Sequence, residues 1–179
     1  MRVVDGDTLR LRVDGREEPV RLIGINTPES VDPRRPVECL GKEASAKAAE
    51  LLRGVPTGEA EPDPTQDARD AYARLLLYVW LPDGRLLNRE LIASGYAHEY
   101  TFRTPDRFQA EFRQAQREAE AAKRGLWAPG ACENQAPVSR ATPAPAKPAA
   151  PPTAAPAAPK PTEAVKRPDF IALPLDSLR

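Results

Sequence analysis

The sequence predicts an α+β fold, and three patterns carry that prediction. Apolar and charged residues alternate in two short runs near the start, a helical stripe then precedes a second strand pattern, and two helical patterns follow. In the first run Leu9, Leu11 and Val13 alternate with Arg10, Arg12 and Asp14, and in the second Val20, Leu22 and Gly24 alternate with Arg21 and Ile23. Each run suits a strand with one buried face. Asp14-Gly15 marks the reversal, so the two make a hairpin.

Beyond the hairpin, Ala44, Ala48, Leu51 and Leu52 recur at helical spacing within Lys42 to Arg53, and Gly54 supplies the stop. Val55 to Pro64 is broken by Pro56, Gly58, Pro62 and Pro64, leaving room only for a short edge strand at Glu59-Ala60-Glu61. A clearer strand spans Ala73 to Leu81 and turns at Pro82-Asp83-Gly84 toward Arg85 to Leu87. A short helix from Asn88 to Ser94 is closed by Gly95. The last helix is introduced by Thr104-Pro105-Asp106 and runs to Lys123-Arg124, with Gly125 as terminator. Phe108, Phe112, Ala115, Ala119 and Ala122 form its apolar stripe, and Arg107, Arg113, Arg117 and Glu118 its wet face.

Composition divides the chain at about residue 133. Residues 1–133 hold room for one ordinary domain, whereas 134–161 are mostly Pro and Ala with scattered Ser, Thr and Lys. Such a segment cannot bury enough apolar surface to fold, so it is expected to be a disordered linker, followed by a short tail at 162–179. Phe170 to Leu178 is a candidate docking segment within that tail. The domain carries 20 basic against 23 acidic side chains, so affinity for nucleic acid has to come from local patches instead of a global positive field. No 18-residue apolar run exists, which excludes a membrane-spanning helix. Met1 stands only four residues before Asp5, so no secretion signal is expected within these residues, and the two readings of that are a truncated start, which would hide one, and a shorter first strand. Nothing in the pattern calls for an oligomer, and a monomer is expected.

The two cysteines bear on compartment. Cys39 precedes the first helix and Cys132 follows the last, so a bond between them would tie the end of the domain back to its body. The alternative is a pair of free thiols in a reducing compartment, and a cytoplasmic protein. The bond is preferred because both residues flank predicted helices and neither has a neighbouring His for metal binding or activation. With the bond, an extracellular or cell-envelope location is expected.

The chemistry concentrates in Asp5-Gly6-Asp7-Thr8 and in Arg21 to Glu29. The hairpin carries Asp7 at one strand end and returns Arg21, Asn26, Thr27 and Glu29 to the same neighbourhood, a grouping suited to a hard cation beside a phosphate. Taken alone, Asp-Gly-Asp-Thr reads as a turn and Thr27-Pro28-Glu29 as a helix or turn entry. Arg21 is harder to dismiss, because a guanidinium on an apolar stretch needs an anion or a carboxylate to face.

With these motifs the sequence resembles the thermonuclease, or staphylococcal nuclease-like, family from Val3 to about Trp127. The resemblance also rests on Gly41-Lys42-Glu43-Ala44, Asp70-Ala71-Tyr72-Ala73-Arg74, Leu87-Asn88 and Lys123-Arg124-Gly125-Leu126-Trp127. It implies a five-stranded OB-type β-barrel with three helices, and a calcium-dependent endonuclease acting on DNA and RNA. Asp7 and the Thr27 carbonyl match the family's metal contacts, with Asn26 at a further metal position, and Ca²⁺ accepts such oxygens readily. Glu29 matches the carboxylate that serves as general base or orients the attacking water, and Arg21 and Arg74 match the guanidiniums that grip the phosphate. Tyr72 and Tyr100 are candidate substrate contacts, with ordinary surface aromatics as the plainer reading. In that family the first strand also begins several residues upstream of the Asp-Gly-Asp-Thr run.

Three departures stand out. Asn26 replaces an acidic metal ligand, Ala71 a basic or polar residue, and Ala73 a glycine. Asn26, Ala71 and the short first strand favour the alternative of a catalytically inactive nuclease-like module that binds nucleic acid or protein. The complete quartet of Asp7, Glu29, Arg21 and Arg74 favours the enzyme.

Overall fold

The computed structural model describes residues 2–31 and 36–132, together with the backbone of 169–171. Strands β1 (Arg2–Asp5), β2 (Thr8–Val13) and β3 (Arg16–Leu22) form an antiparallel meander. Alternation becomes burial: Leu9, Leu11, Val20 and Leu22 lie inside, while Arg12, Arg16 and Glu17 are exposed. Asp14 and Gly15 both take positive φ, 48° and 79°, as a two-residue hairpin turn of primed type requires.

Strand β4 (Ile25–Asn26) leaves the meander and pairs with β7 (His98–Glu99). Helix α1 (Gly41–Leu51) then leads to β5 (Thr57–Glu61) and β6 (Leu75–Trp80). β6 runs parallel to β3 and antiparallel to β5, which gives a mixed sheet in the order β1-β2-β3-β6-β5. Helices α2 (Leu87–Ala93) and α3 (Gln109–Ala121) complete the three expected helices. The core joins Leu9, Leu11, Val20 and Val79 of the sheet to Leu87, Leu91 and Ile92 of α2 and Phe112 and Ala115 of α3. Asn88 stitches helix to sheet: its amide donates to the Ile23 carbonyl at 2.8 Å and its oxygen accepts from the Val79 amide at 3.1 Å.

The expected barrel is present as an open sheet: β2 and β5 do not pair with each other. A further strand, β8 (Asp169–Ile171), lies where only a tail was expected, and pairs antiparallel with both. The linker at 134–161 and the rest of the tail lie outside the described residues, as does all of the docking segment beyond Ile171.

Local boundaries differ for physical reasons. The strand expected from Ala73 starts at Leu75, because Ala73 adopts φ 62° and the Asp70 carboxylate captures the amides of Tyr72 and Arg74. Arg85 to Leu87 contributes one bridge, Trp80 to Leu86, since α2 claims Leu87. α3 begins at Gln109 after a turn in which Asp106 accepts the Phe108 amide, and Ala122, beyond its last residue, is exposed instead of joining the stripe. Cys39 and Cys132 are disulfide-bonded with their Cα atoms 5.7 Å apart, so the chain end after α3 is tied to the approach to α1. Among the described residues no helix is long and apolar enough to cross a membrane.

Candidate functional site

The site forms where the β1–β2 turn meets the end of β3. The Leu22 amide donates to the Asp7 carbonyl at 3.0 Å, locking these two chain segments together. Close approach explains Gly6, where a Cβ would stand 2.8 Å from the Thr27 side chain. Asp7 is thereby buried with its carboxylate fully engaged. Its Oδ2 accepts from the Thr27 amide at 2.9 Å and lies 3.1 Å from Arg21 Nη2, and its Oδ1 accepts from the Thr8 hydroxyl at 3.1 Å.

Arg21 meets the need that its apolar setting creates. Nη1 donates to the carbonyls of Leu22 and Ile25, each at 2.9 Å, and Nη2 donates to Asn26 Oδ1 at 3.1 Å. The same nitrogen therefore touches both Asp7 and Asn26, so their oxygens converge on one point. Arg74 is held from two sides. Its Nε and Nη2 each stand 2.7 Å from Asp70 Oδ2, and Nη1 donates to the Thr8 hydroxyl at 3.0 Å. Thr8 thus links the two arginines through Asp7, in a continuous chain Arg21–Asp7–Thr8–Arg74–Asp70.

Glu29 stands on a braced segment at the foot of α1. Its Oε1 accepts the Val31 amide at 2.8 Å, and its own amide donates to Glu38 Oε2 at 2.9 Å while the Glu38 amide donates back to the Glu29 carbonyl at 2.8 Å. Ser30 and Ser45 donate to Asp5 Oδ1 at 2.6 and 3.2 Å, which pins the same segment to the β1–β2 turn. Burial pushes the Asp5 carboxyl above its ordinary range, against the hydrogen bonds from Ser30 and Gly6, and the charges of Asp7 and Glu29 push it the same way as burial. Three carboxyls therefore share one field.

Tyr72 projects into solvent at 68% exposure, with the Arg74 guanidinium carbon 5.4 Å from its ring centre. Tyr100 is placed by its backbone, whose amide donates to the Gly24 carbonyl at 2.9 Å, and no described hydrogen bond joins its hydroxyl to the network. Sequence reasoning named Arg21, Arg74, Asp7, Asn26, Thr27 and Glu29 but gave no role to Thr8, Asp70, Asp5, Ser30 or Ser45. The spacing of Asp70 and Arg74 was a usable signal for their pairing. Ser30 and Ser45 lie too far from Asp5 in the chain to offer one.

Among the described residues no group of three His, Cys, Asp or Glu side chains is placed to hold a metal. Asp7 Oδ2 and Asn26 Oδ1 converge on Arg21 Nη2, and Thr27 follows directly, so one carboxylate and neutral oxygens are what this corner offers. The buried Thr27 hydroxyl, which has no hydrogen-bond partner, adds an unused oxygen beside it. Carboxylate, amide and carbonyl oxygens are the donor types that a hard cation such as calcium accepts.

An α+β domain that fixes two guanidiniums about one carboxylate, with further acids beside it, has the parts of a phosphodiester hydrolase. The chain belongs to the staphylococcal nuclease homologue family, which it matches over residues 19–129. It is 35% identical over 127 residues to a thermonuclease of Staphylococcus hyicus, covering 71% of this chain and 73% of that one. A thermonuclease of Staphylococcus intermedius is 36% identical over 126 residues, covering 70% and 73% of the two chains. Endonuclease YncB of Bacillus subtilis (strain 168) is 32% identical over 128 residues, which is 70% of this chain and 59% of the relative. The family match begins at Pro19, so Asp7 lies upstream of it and joins the site through Arg21 and Thr27.

Proposed function

We propose that this chain is a calcium-dependent endonuclease that hydrolyses phosphodiester bonds of DNA and RNA. The observation that carries the reading is the continuous chain from Arg21 through Asp7 and Thr8 to Arg74 and Asp70. It holds two guanidiniums in place before substrate arrives, so little reorganisation remains when charge develops on phosphorus.

Asp7, the Asn26 side chain and the Thr27 carbonyl are the residues for Ca²⁺. Bound calcium neutralises the phosphate and makes a neighbouring water easier to deprotonate. Arg21 and Arg74 grip the non-bridging oxygens and stabilise the extra charge of the five-coordinate state, where planar guanidiniums donate paired hydrogen bonds. Glu29 accepts the proton of the attacking water or orients it. Tyr72, exposed beside Arg74, and Tyr100 contact the substrate by stacking or through their hydroxyls.

The catalytic unit is residues 1–133, read as an OB-type fold, with 134–161 as linker and 162–179 as tail. It acts as a monomer. The Cys39–Cys132 bond suits an oxidising setting, so the place of action is extracellular or in the cell envelope.

The test is cleavage of single-stranded DNA and of RNA by the purified chain with Ca²⁺ and with a calcium chelator, alongside the Glu29→Ala and Arg74→Ala proteins. Cleavage that disappears in the chelator and falls at least 100-fold in both variants is the expected outcome, about the loss typical of one transition-state donor or one general base. No cleavage by the intact chain, with nucleic-acid binding retained, would leave the binding-module reading in its place.

A further inference from the structure

Glu29 takes its place from its backbone, and both its amide and its carbonyl bond to one residue. The amide donates to Glu38 Oε2 at 2.9 Å, and the carbonyl accepts from the Glu38 amide at 2.8 Å. The pairing resembles one rung of an antiparallel ladder, with a side-chain carboxylate standing where the partner's carbonyl would be. Glu38 is itself anchored: its carbonyl accepts at 3.0 Å from the amide of Gly41, the first residue of α1. The helix comes this close only because residue 41 lacks a side chain, since a Cβ there would stand 2.6 Å from the Glu29 carbonyl oxygen.

The chain that enters Glu29 is stiff for a different reason. Asp7 holds the Thr27 amide at 2.9 Å, and Pro28 fixes its own φ and restricts Thr27. Pro28 has no N–H, so the Glu29 amide is the next donor by which the segment can be fixed. Glu38 supplies the acceptor. We propose that Glu38 is a positioning residue for Glu29: by taking the Glu29 amide it sets where the Glu29 side chain begins, a role that rests on the proposed reading of Glu29 as the group that deprotonates or orients the attacking water. A shift of about 1 Å at such a group costs on the order of 100-fold in rate. What the clamp requires of residue 38 is reach, not charge. The amide oxygen of glutamine accepts the same N–H. An aspartate carboxylate is one methylene shorter and stops about 1.5 Å short.

The test measures kcat and KM for cleavage of single-stranded DNA with Ca²⁺ in the parent chain and in the Glu38→Ala, Glu38→Asp and Glu38→Gln proteins. Exchange of the Glu29 amide is measured in the same four proteins without metal or substrate. Rates are taken per folded molecule, so that a merely less stable fold leaves kcat unchanged. The expected result is kcat lowered about 10-fold to 100-fold in the Ala and Asp proteins, with KM within about threefold of the parent and kcat restored in the Gln protein. The Glu29 amide should exchange about tenfold faster or more in the Ala and Asp proteins and at the parent rate in the Gln protein. The reverse order, with Asp active and Gln impaired, would make charge the property that matters and overturn the proposal. Parent-like protection of the Glu29 amide in Glu38→Ala would overturn it too. No cleavage by the parent chain defeats the nuclease reading and the role of Glu38 with it, whereas a cleaving parent and an equally active Glu38→Ala protein defeat the role of Glu38 alone.

Discussion

Arg21 Nη2 lies 3.1 Å from Asp7 Oδ2, and both side chains are nearly out of water, at 14% and 8% exposure. A pair this dry is costly to break from one side, because the survivor keeps its desolvation penalty and loses its partner. Asp7→Ala is therefore expected to destabilise the fold by about 3 kcal/mol, besides removing the proposed metal carboxylate. Urea unfolding checks it. A loss no larger than that of Glu17→Ala, at the exposed Arg10–Glu17 pair, would show that Arg21 relies on its carbonyl partners instead.

Asn26 faces the same Arg21 nitrogen as Asp7, through an oxygen without formal charge. Asn26→Asp restores a second carboxylate to the oxygen set, and affinity for Ca²⁺ rises with ligand charge. Calorimetry on the variant is expected to give tighter calcium binding by at least an order of magnitude. Equal affinities would remove Asn26 from the metal set.

Ala73 occupies left-handed backbone at φ 62° in the loop that presents Arg74. That conformation costs an L-residue roughly 1–2 kcal/mol, whereas glycine is free of the penalty. Glycine in turn loosens the unfolded chain by about 0.4–1 kcal/mol, so relief wins by a small margin. Ala73→Gly is expected to raise stability by about 0.5–1 kcal/mol in urea titration, from the difference of those two effects. A less stable variant would mean that the loop holds Ala73 without strain.

The Cys39–Cys132 bond closes a loop with a sequence separation of 93. In the chain-entropy account a loop of this length is worth about 4–5 kcal/mol, chiefly by restricting the unfolded chain. Paired serine substitutions should therefore shift the urea midpoint downward without moving the site residues. An unchanged midpoint would mean that the segment after α3 is held by its other contacts.

How much was legible in the sequence follows from how local each signal is. The hairpin, α1 and α2 were readable because alternation and helical spacing act within a dozen residues. Arg21 was readable as a site residue because a guanidinium on an apolar strand must find an acid. The role of Thr8 was not, since it depends on Arg74 arriving from a loop 66 residues away. Ala73 hid a strand boundary: its neighbours are strand formers, and only the Asp70 carboxylate, capturing two amides, turns the chain there. β4, β7 and β8 are two or three residues each, too short for any period to register.

Tyr78 stands buried between two buried acids. Tyr78 places its hydroxyl 2.6 Å from Asp63 Oδ2 and 2.9 Å from Asp106 Oδ1, yet it has one hydrogen to give. Burial would raise the Asp63 carboxyl, but hydrogen bonds from Tyr78, the Arg107 amide and Thr65 together hold it below its ordinary 3.8. Asp106 goes the other way: burial raises it, the negative charge of Asp63 adds, and its Oδ2 is buried without a partner. Tyr78 gives its one hydrogen to Asp63 at the shorter distance, so a proton on Asp106 would supply the second bond, with Asp106 donating to the Tyr78 oxygen. Linkage then fixes the signs. Asp63 contributes stability above pH 3.8 that is lost as the pH falls below it, whereas the contribution of Asp106 is complete below pH 3.8 and declines as the pH rises through its elevated pKa. Asp106→Asn keeps the shape and carries no titrating proton, so it should flatten the decline in stability that the parent chain shows as the pH rises above 3.8. Urea unfolding at several pH values above that point measures the difference. Parallel pH profiles for the two proteins would place the shared proton elsewhere.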